Sequence, residues 1–107
     1  MLFVKVTSKI IIIKEIVLQF FPAGKIILFG SRAKENFSED SDYDFIIITK
    51  KNISVKEKRN FQAQIRKKLA EHKIPADIII QNKSDVKIKE NIKGHIIRQA
   101  VKEGIEL

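Results

Sequence analysis

Two aspartates one residue apart, Asp42 and Asp44, stand at the head of the apolar run Tyr43 to Thr49, and a third, Asp77, opens the run Asp77-Ile78-Ile79-Ile80. Along a strand alternate side chains share a face, so Asp42 and Asp44 point the same way, their α-carbons about 6 to 7 Å apart, while Tyr43 points the other way. Two carboxylates held side by side at the start of a buried strand repel each other and lose water, and one of them stays protonated unless a cation lies between them. Oxygen-only ligands of this kind suit Mg2+, which keeps several waters and takes its remaining ligands from a substrate's phosphates. If the two apolar runs are neighbouring strands, Asp77 joins Asp42 and Asp44 at one edge. Three acids allow two metal ions, one at the attacking oxygen and one at the leaving group, and the third carboxylate can take the proton of an attacking hydroxyl.

Upstream lies Gly30-Ser31-Arg32, where an apolar run of strand length, Lys25 to Phe29, gives way to a short helical stretch, Arg32 to Asn36. Exposed N–H groups at such a junction, with the positive end of a helix, can hold a phosphate. Gly30 would let the phosphate approach the backbone, Ser31 would add a hydroxyl donor and Arg32 would add charge. A Gly-Ser pair alone is usually a turn, and an Asp-x-Asp alone is usually a solvated loop. Their order, with apolar strands on either side, is what makes a site of them.

The elements that must position these residues follow from spacing. Thr7 or Ser8 caps a first helix whose apolar positions are Ile10, Ile13, Ile16, Val17 and Phe20, and Pro22-Ala23-Gly24 ends it. The four isoleucines Ile10 to Ile13 are β-branched and would suit a strand as well. Glu39-Asp40-Ser41 reads as a polar loop. Tyr43 to Thr49 is almost uninterruptedly apolar, which predicts a central strand covered on both faces. From Ser54, a plausible cap, to His72, the residues Val55, Phe61, Ile65 and Leu69 recur at helical intervals, and Ile74-Pro75 breaks the pattern. Ala76 to Gln81 reads as a third strand. Ser84 caps a lysine-rich segment that restarts after Gly94 and stops at Gly104, and the closing Gly-Ile-Glu-Leu could add a short edge strand. Helices alternating with short buried strands predict an α+β domain, a two-layer αβ arrangement of helices on a mixed sheet, spanning residues 1–107 as one unit.

Composition narrows the chemistry. With no cysteine there is no disulfide, thiolate zinc site or cysteine nucleophile, and two histidines are too few for a histidine-rich metal site. No apolar run approaches the roughly 18 to 20 residues of a membrane span, and Met1 to Lys5 lacks the features of a secretory signal, so a soluble cytoplasmic protein is expected. Lys and Arg total 21 against 13 Asp and Glu, a net charge of +8 that favours phosphates, nucleic acid or an acidic protein partner. Nucleic acid is possible but not favoured, because Tyr43 is the only tyrosine, tryptophan is absent, and the phenylalanines fall mostly at core positions. His72 and His95 sit near helix ends, where a structural part is expected of them.

The stretch LFGSRAKENFSEDSDYDFIII resembles the signature of the DNA polymerase β-type nucleotidyltransferase superfamily, in which Gly-Ser, a spacer, Asp-x-Asp and a later aspartate follow one another. Here these are Gly30, Ser31, Asp42, Asp44 and Asp77. The likeness covers residues 28–80, and the closing IIRQAVKEGIEL resembles the tail of the minimal nucleotidyltransferase (MNT) group. Many minimal members carry Gly-Ser-Arg-Ala-Arg-Gly, whereas this chain has Lys34 and Glu35 in the last two places: the charge is kept, but an acid lies near the expected triphosphate. The resemblance implies a nucleotidyltransferase fold and Mg2+-dependent transfer of a nucleoside monophosphate from an NTP, with ATP the default, to an acceptor hydroxyl. It implies that Asp42 and Asp44 bind metal, that Asp77 binds metal or acts as base, and that Gly30 and Ser31 hold the β and γ phosphates. Larger members carry an additional domain for tRNA, DNA or an antibiotic, so the acceptor is expected from another chain. Minimal members are commonly paired with a small all-helical HEPN toxin, which they neutralise as antitoxin and can adenylylate. Other readings are transfer to a small molecule or an RNA end, or a non-catalytic antitoxin that inhibits its partner by binding.

Overall fold

A computed structural model describes residues 7–34 and 41–107 of the chain. Helix α1 spans Ser8–Phe20, with Thr7 in extended conformation and its hydroxyl accepting the Ile10 N–H at 3.3 Å. Ile10, Ile13, Ile16 and Val17 form its buried stripe. Burial on one face thus overrides the strand preference of the isoleucine run. Strand β1, Lys25–Phe29, leads into a four-residue 3-10 helix, Gly30–Ala33. Strand β2 is Tyr43–Thr49, helix α2 Val55–Glu71 and strand β3 Ala76–Asn82. Helices α3, Lys83–Lys89, and α4, Ile96–Glu103, precede the two-residue strand β4, Ile105–Glu106.

The strand order is β3-β2-β1-β4. Strand β1 is antiparallel to both β2 and β4, and β2 is parallel to β3. Parallel neighbours need a crossover, which α2 supplies. This is the expected α+β fold with helices on a mixed sheet. Tyr43, Phe45 and Ile47 face the larger core, where Ile13 and Val17 of α1 meet Ile65 and Leu69 of α2. The alternate residue Ile46 faces a smaller cluster with Val86, Ile97 and Ala100 from α3 and α4. Strand β2 is therefore central and covered on both faces, as its composition predicts. Among the described residues no helix is long and apolar enough to cross a membrane.

Helix α2 begins with a capping box. The Ser54 hydroxyl accepts the Glu57 N–H at 3.1 Å, and the Glu57 carboxylate accepts the Ser54 N–H at 3.2 Å. Phe61 packs edge-on against Phe20 and Phe21, with ring centroids 6.1 and 4.9 Å away. The helix closes with a Schellman motif. The Ile74 N–H donates to the Leu69 carbonyl and the Lys73 N–H to the Ala70 carbonyl, while Lys73 adopts a left-handed φ of 58°.

Two local expectations are revised. Helix α3 starts directly behind β3 with Asn82 as its N-cap residue, and Ser84 lies within its first turn. The Asn82 side chain gives α3 no cap bond, its oxygen instead accepting the Ile53 N–H and the Thr49 hydroxyl. The helical stretch expected from Arg32 begins instead at Gly30 as a 3-10 turn; Glu35 and Asn36, and Glu39 and Asp40 of the expected loop, lie outside the described residues. His95 caps α4, its Nδ1 accepting the Ile97 N–H at 3.1 Å.

Leu69 is fully buried, so Leu69→Ala is expected to cost about 2–5 kcal/mol. Ser54→Ala removes half of an exposed capping box and is expected to cost about 1 kcal/mol. Urea unfolding of the two variants checks the order; equal losses would show that the larger core does not close on α2 as described.

Candidate active site

The pairing of β2 with β3 sets Asp44 directly opposite Asp77, and the pairing of β1 with β2 sets Phe29 opposite Asp44 on its other side. Asp42 lies immediately ahead of β2, two residues from Asp44. Asp44 is half-buried, whereas Asp42 and Asp77 are exposed. Asp44 and Asp77 thus face each other at the head of the two parallel strands, on the sheet face that carries Ile46 and Ile79 toward α3 and α4, and Asp42 is near enough for its charge to act on Asp44.

Burial, the Asp77 charge and the Asp42 charge, in that order of importance, raise the Asp44 carboxyl above its ordinary value of 3.8. A raised value in the folded state means that folding favours the protonated acid. Its stabilising contribution is complete below about pH 3.8 and is lost as pH rises through the raised value.

Gly30 ends β1 against this carboxylate. It has a φ of +72°, and a β-carbon placed on it would lie 2.5 Å from Asp44 Oδ2 and 3.3 Å from its carboxyl carbon. Glycine is required here twice over, by conformation and by the close passage of backbone and carboxylate. The sequence points to a glycine that admits a phosphate; the neighbour that demands it in the structure is Asp44. Ser31 follows in the 3-10 turn, and an opening of about 190 Å3 beside Gly30 is lined by Phe29, Ala33, Lys34 and, from α4, Ile96, Gln99 and Glu103.

Arg32 is buried, with its guanidinium 4.5 Å from the centre of the Tyr43 ring and its Nε donating to the Ser41 carbonyl at 2.9 Å. These contacts fix the stretch that delivers Asp42, which gives Arg32 a positioning part that spacing alone did not show. On the other side of the acids Asp42 borders a depression of about 440 Å3, shared with Arg66, Ala70, Lys73, Ile74, Pro75 and Ala76. Arg66 and Ala70, four apart, share one face of α2 and Lys73 follows the helix end, but nothing in a lysine-rich sequence marks which of its cations lie near the acids. An apolar groove of about 400 Å3, lined by Phe20, Phe21, Ile53 and Phe61, opens at the opposite end of β2 beside Thr49, away from the acids.

Among the described residues no three His, Asp or Glu side chains converge as a finished ligand set. Residues 12–107 match the family model described as polymerase beta, nucleotidyltransferase. The chain belongs to this nucleotidyltransferase family. A protein of Methanocaldococcus jannaschii bearing the name "Putative protein adenylyltransferase" is 32% identical over 83 residues, which cover 78% of this chain and 77% of that protein. Nucleotidyl transfer is the chemistry of that family.

Two outcomes test the geometry of this nucleotidyltransferase. Gly30→Ala is expected to cost about 1–3 kcal/mol through strain alone and to displace Asp44, abolishing transfer; normal transfer with an unchanged melting temperature would contradict the contact. Metal-free Asp44→Asn is expected to melt above the wild type at neutral pH, the gap narrowing as pH falls toward 3.8. Thermal melts across that range decide it, and coincident curves at pH 7 would mean that Asp44 ionises there without cost.

Proposed function

We propose that this nucleotidyltransferase transfers AMP from ATP to a hydroxyl of a partner protein, and that the partner is a HEPN-type helical toxin for which the chain serves as antitoxin. The reading is carried by the placement of Asp44 opposite Asp77, with Asp42 close enough to act on Asp44 by its charge. Support for a protein acceptor comes from the Methanocaldococcus jannaschii relative, which bears the name "Putative protein adenylyltransferase".

The donor set fits Mg2+: every candidate ligand is a carboxylate oxygen, and burial together with the charges of Asp77 and Asp42 holds Asp44 above its ordinary ionisation, a conflict that a cation would relieve. Asp42, Asp44 and Asp77 would hold two ions, which when bound supply charge neutralisation for the phosphates and the leaving group. The chain's own residues account for the remaining parts. Gly30 and Ser31 hold the β and γ phosphates at the end of β1. The acceptor oxygen attacks the α-phosphorus, an O–P bond forms, and the bond from the α-phosphorus to the bridging oxygen breaks to release pyrophosphate. The hydroxyl proton passes to the Asp77 carboxylate, which is exposed at the β3 edge of the acid group and so reachable by an incoming protein. Arg32 acts through Ser41 and Tyr43 to hold Asp42 in place.

The test is label transfer from ATP carrying the isotope at its α phosphate, with Mg2+ and the protein encoded beside this one. Label is expected on the neighbour, and Asp42→Asn or chelation of Mg2+ is expected to reduce it by about 10²-fold or more. Toxin neutralisation that survives Asp42→Asn, with no label moved, would instead establish inhibition by contact alone.

A further inference from the structure

The depression between Asp42 and the end of α2 has two features that the transfer reading leaves unused. Its wall is cationic: Arg66 and Lys73 line it, and among the described residues neither forms an ion pair. Asp42 is the sole acid of its described lining, and the rest, Ala70, Ile74, Pro75 and Ala76, is small and apolar. The second feature is the backbone of Lys73. It occupies the left-handed position of the Schellman motif at φ 58°, where glycine is the least strained residue. Among the described residues it is the only non-glycine residue with positive φ. A lysine kept at that position holds its side chain on the wall of the depression at a conformational cost that glycine would avoid.

The location fixes what these cations meet. Gly30 and Ser31 lie at the end of β1, on one side of the acids, whereas Pro75 and Ala76 lead into β3 on the other side, next to Asp77. The nucleotide is assigned to the β1 side, which leaves the β3 side to the acceptor. An acidic segment approaching three carboxylates is repelled unless positive charge lines its path. Among its described lining residues none is aromatic, so these residues offer the bases of an RNA end no stacking platform.

We infer that Arg66 and Lys73 form an acceptor-docking site that selects a polypeptide hydroxyl flanked by acidic residues. The inference rests on the transfer reading for the word acceptor, but the docking itself is measurable without turnover.

Fluorescent peptides carrying one serine or tyrosine between glutamates, and the same peptides with glutamines, are titrated with the full chain by anisotropy. The wild type is expected to favour the acidic peptide, and Lys73→Gly to weaken it by about tenfold with an equal or higher melting temperature, since glycine suits the backbone there. Arg66→Glu combined with Lys73→Glu is expected to turn the preference toward lysine-flanked peptides. Affinity for ATP, measured separately, is expected to be unchanged in Lys73→Gly. Equal binding of acidic and neutral peptides overturns the inference. So does a loss of ATP affinity in Lys73→Gly with peptide binding intact, or displacement of the acidic peptide by single-stranded RNA at lower concentration than by unlabelled acidic peptide. Transfer from labelled ATP without acid preference would keep the transfer reading and remove this docking site, whereas acid-selective binding without any transfer would do the reverse.

Discussion

The register of β2 against β3 is the constraint on which the core and the acids both depend. It sets Asp44 against Asp77, and it also sets Phe45 against Ile78 and Ile47 against Ile80 inside the larger core. A slip of one residue would turn the side chains of one strand to the opposite face, driving aspartate into the hydrocarbon of α1 and α2 and isoleucine into water. The apolar alternation that stabilises the sheet therefore also enforces the meeting of the two acids. Neither strand can be repaired into another pairing without losing both.

The two ends of this strand pair are chemically opposite. At the head, Asp44 and Asp77 repel each other and Gly30 presses on Asp44. At the tail, Thr49 stands opposite Asn82, and the two buried side chains are joined, the Thr49 hydroxyl donating to the Asn82 side-chain oxygen at 3.2 Å, while the same oxygen accepts the Ile53 N–H at 3.0 Å. Buried polar groups that satisfy one another specify one arrangement, because any other leaves them unpaired. The tail holds the register against the repulsion at the head. Arg32, stacked on Tyr43 and bonded to Ser41, performs a similar service for the strand's approach.

Much of this was legible in the residues themselves. The bounds of β1 and β2, the caps Thr7 and Ser54, and the edge strand behind Gly104 follow from apolar period and turn chemistry, and the chain adopts them. That Asp44 and Asp77 stand opposite each other followed from their places at strand heads. What could not be read depends on contacts between residues distant in the chain. That Gly30 lies against Asp44 needs the β1–β2 register, and that the Asn82 side chain is drawn to Ile53 and Thr49 needs the loop behind β2. That Lys73 is left-handed needs the Schellman closure of α2; the Ile74-Pro75 pair signals only that the helix stops.

Strand β4 pairs two residues with β1, Ile105 with Leu28 and Glu106 with Ile27, and Leu107 adds one further N–H donated to the Ile26 carbonyl. An edge this short offers few free N–H and C=O groups to another chain, and the Glu106 carboxylate beside Lys25 adds charge to it. Self-association by strand addition is thereby discouraged on the β1 side of the sheet. Among the described residues the seven-residue β3 is the other margin, and a strand added there would meet the edge that carries Asp77.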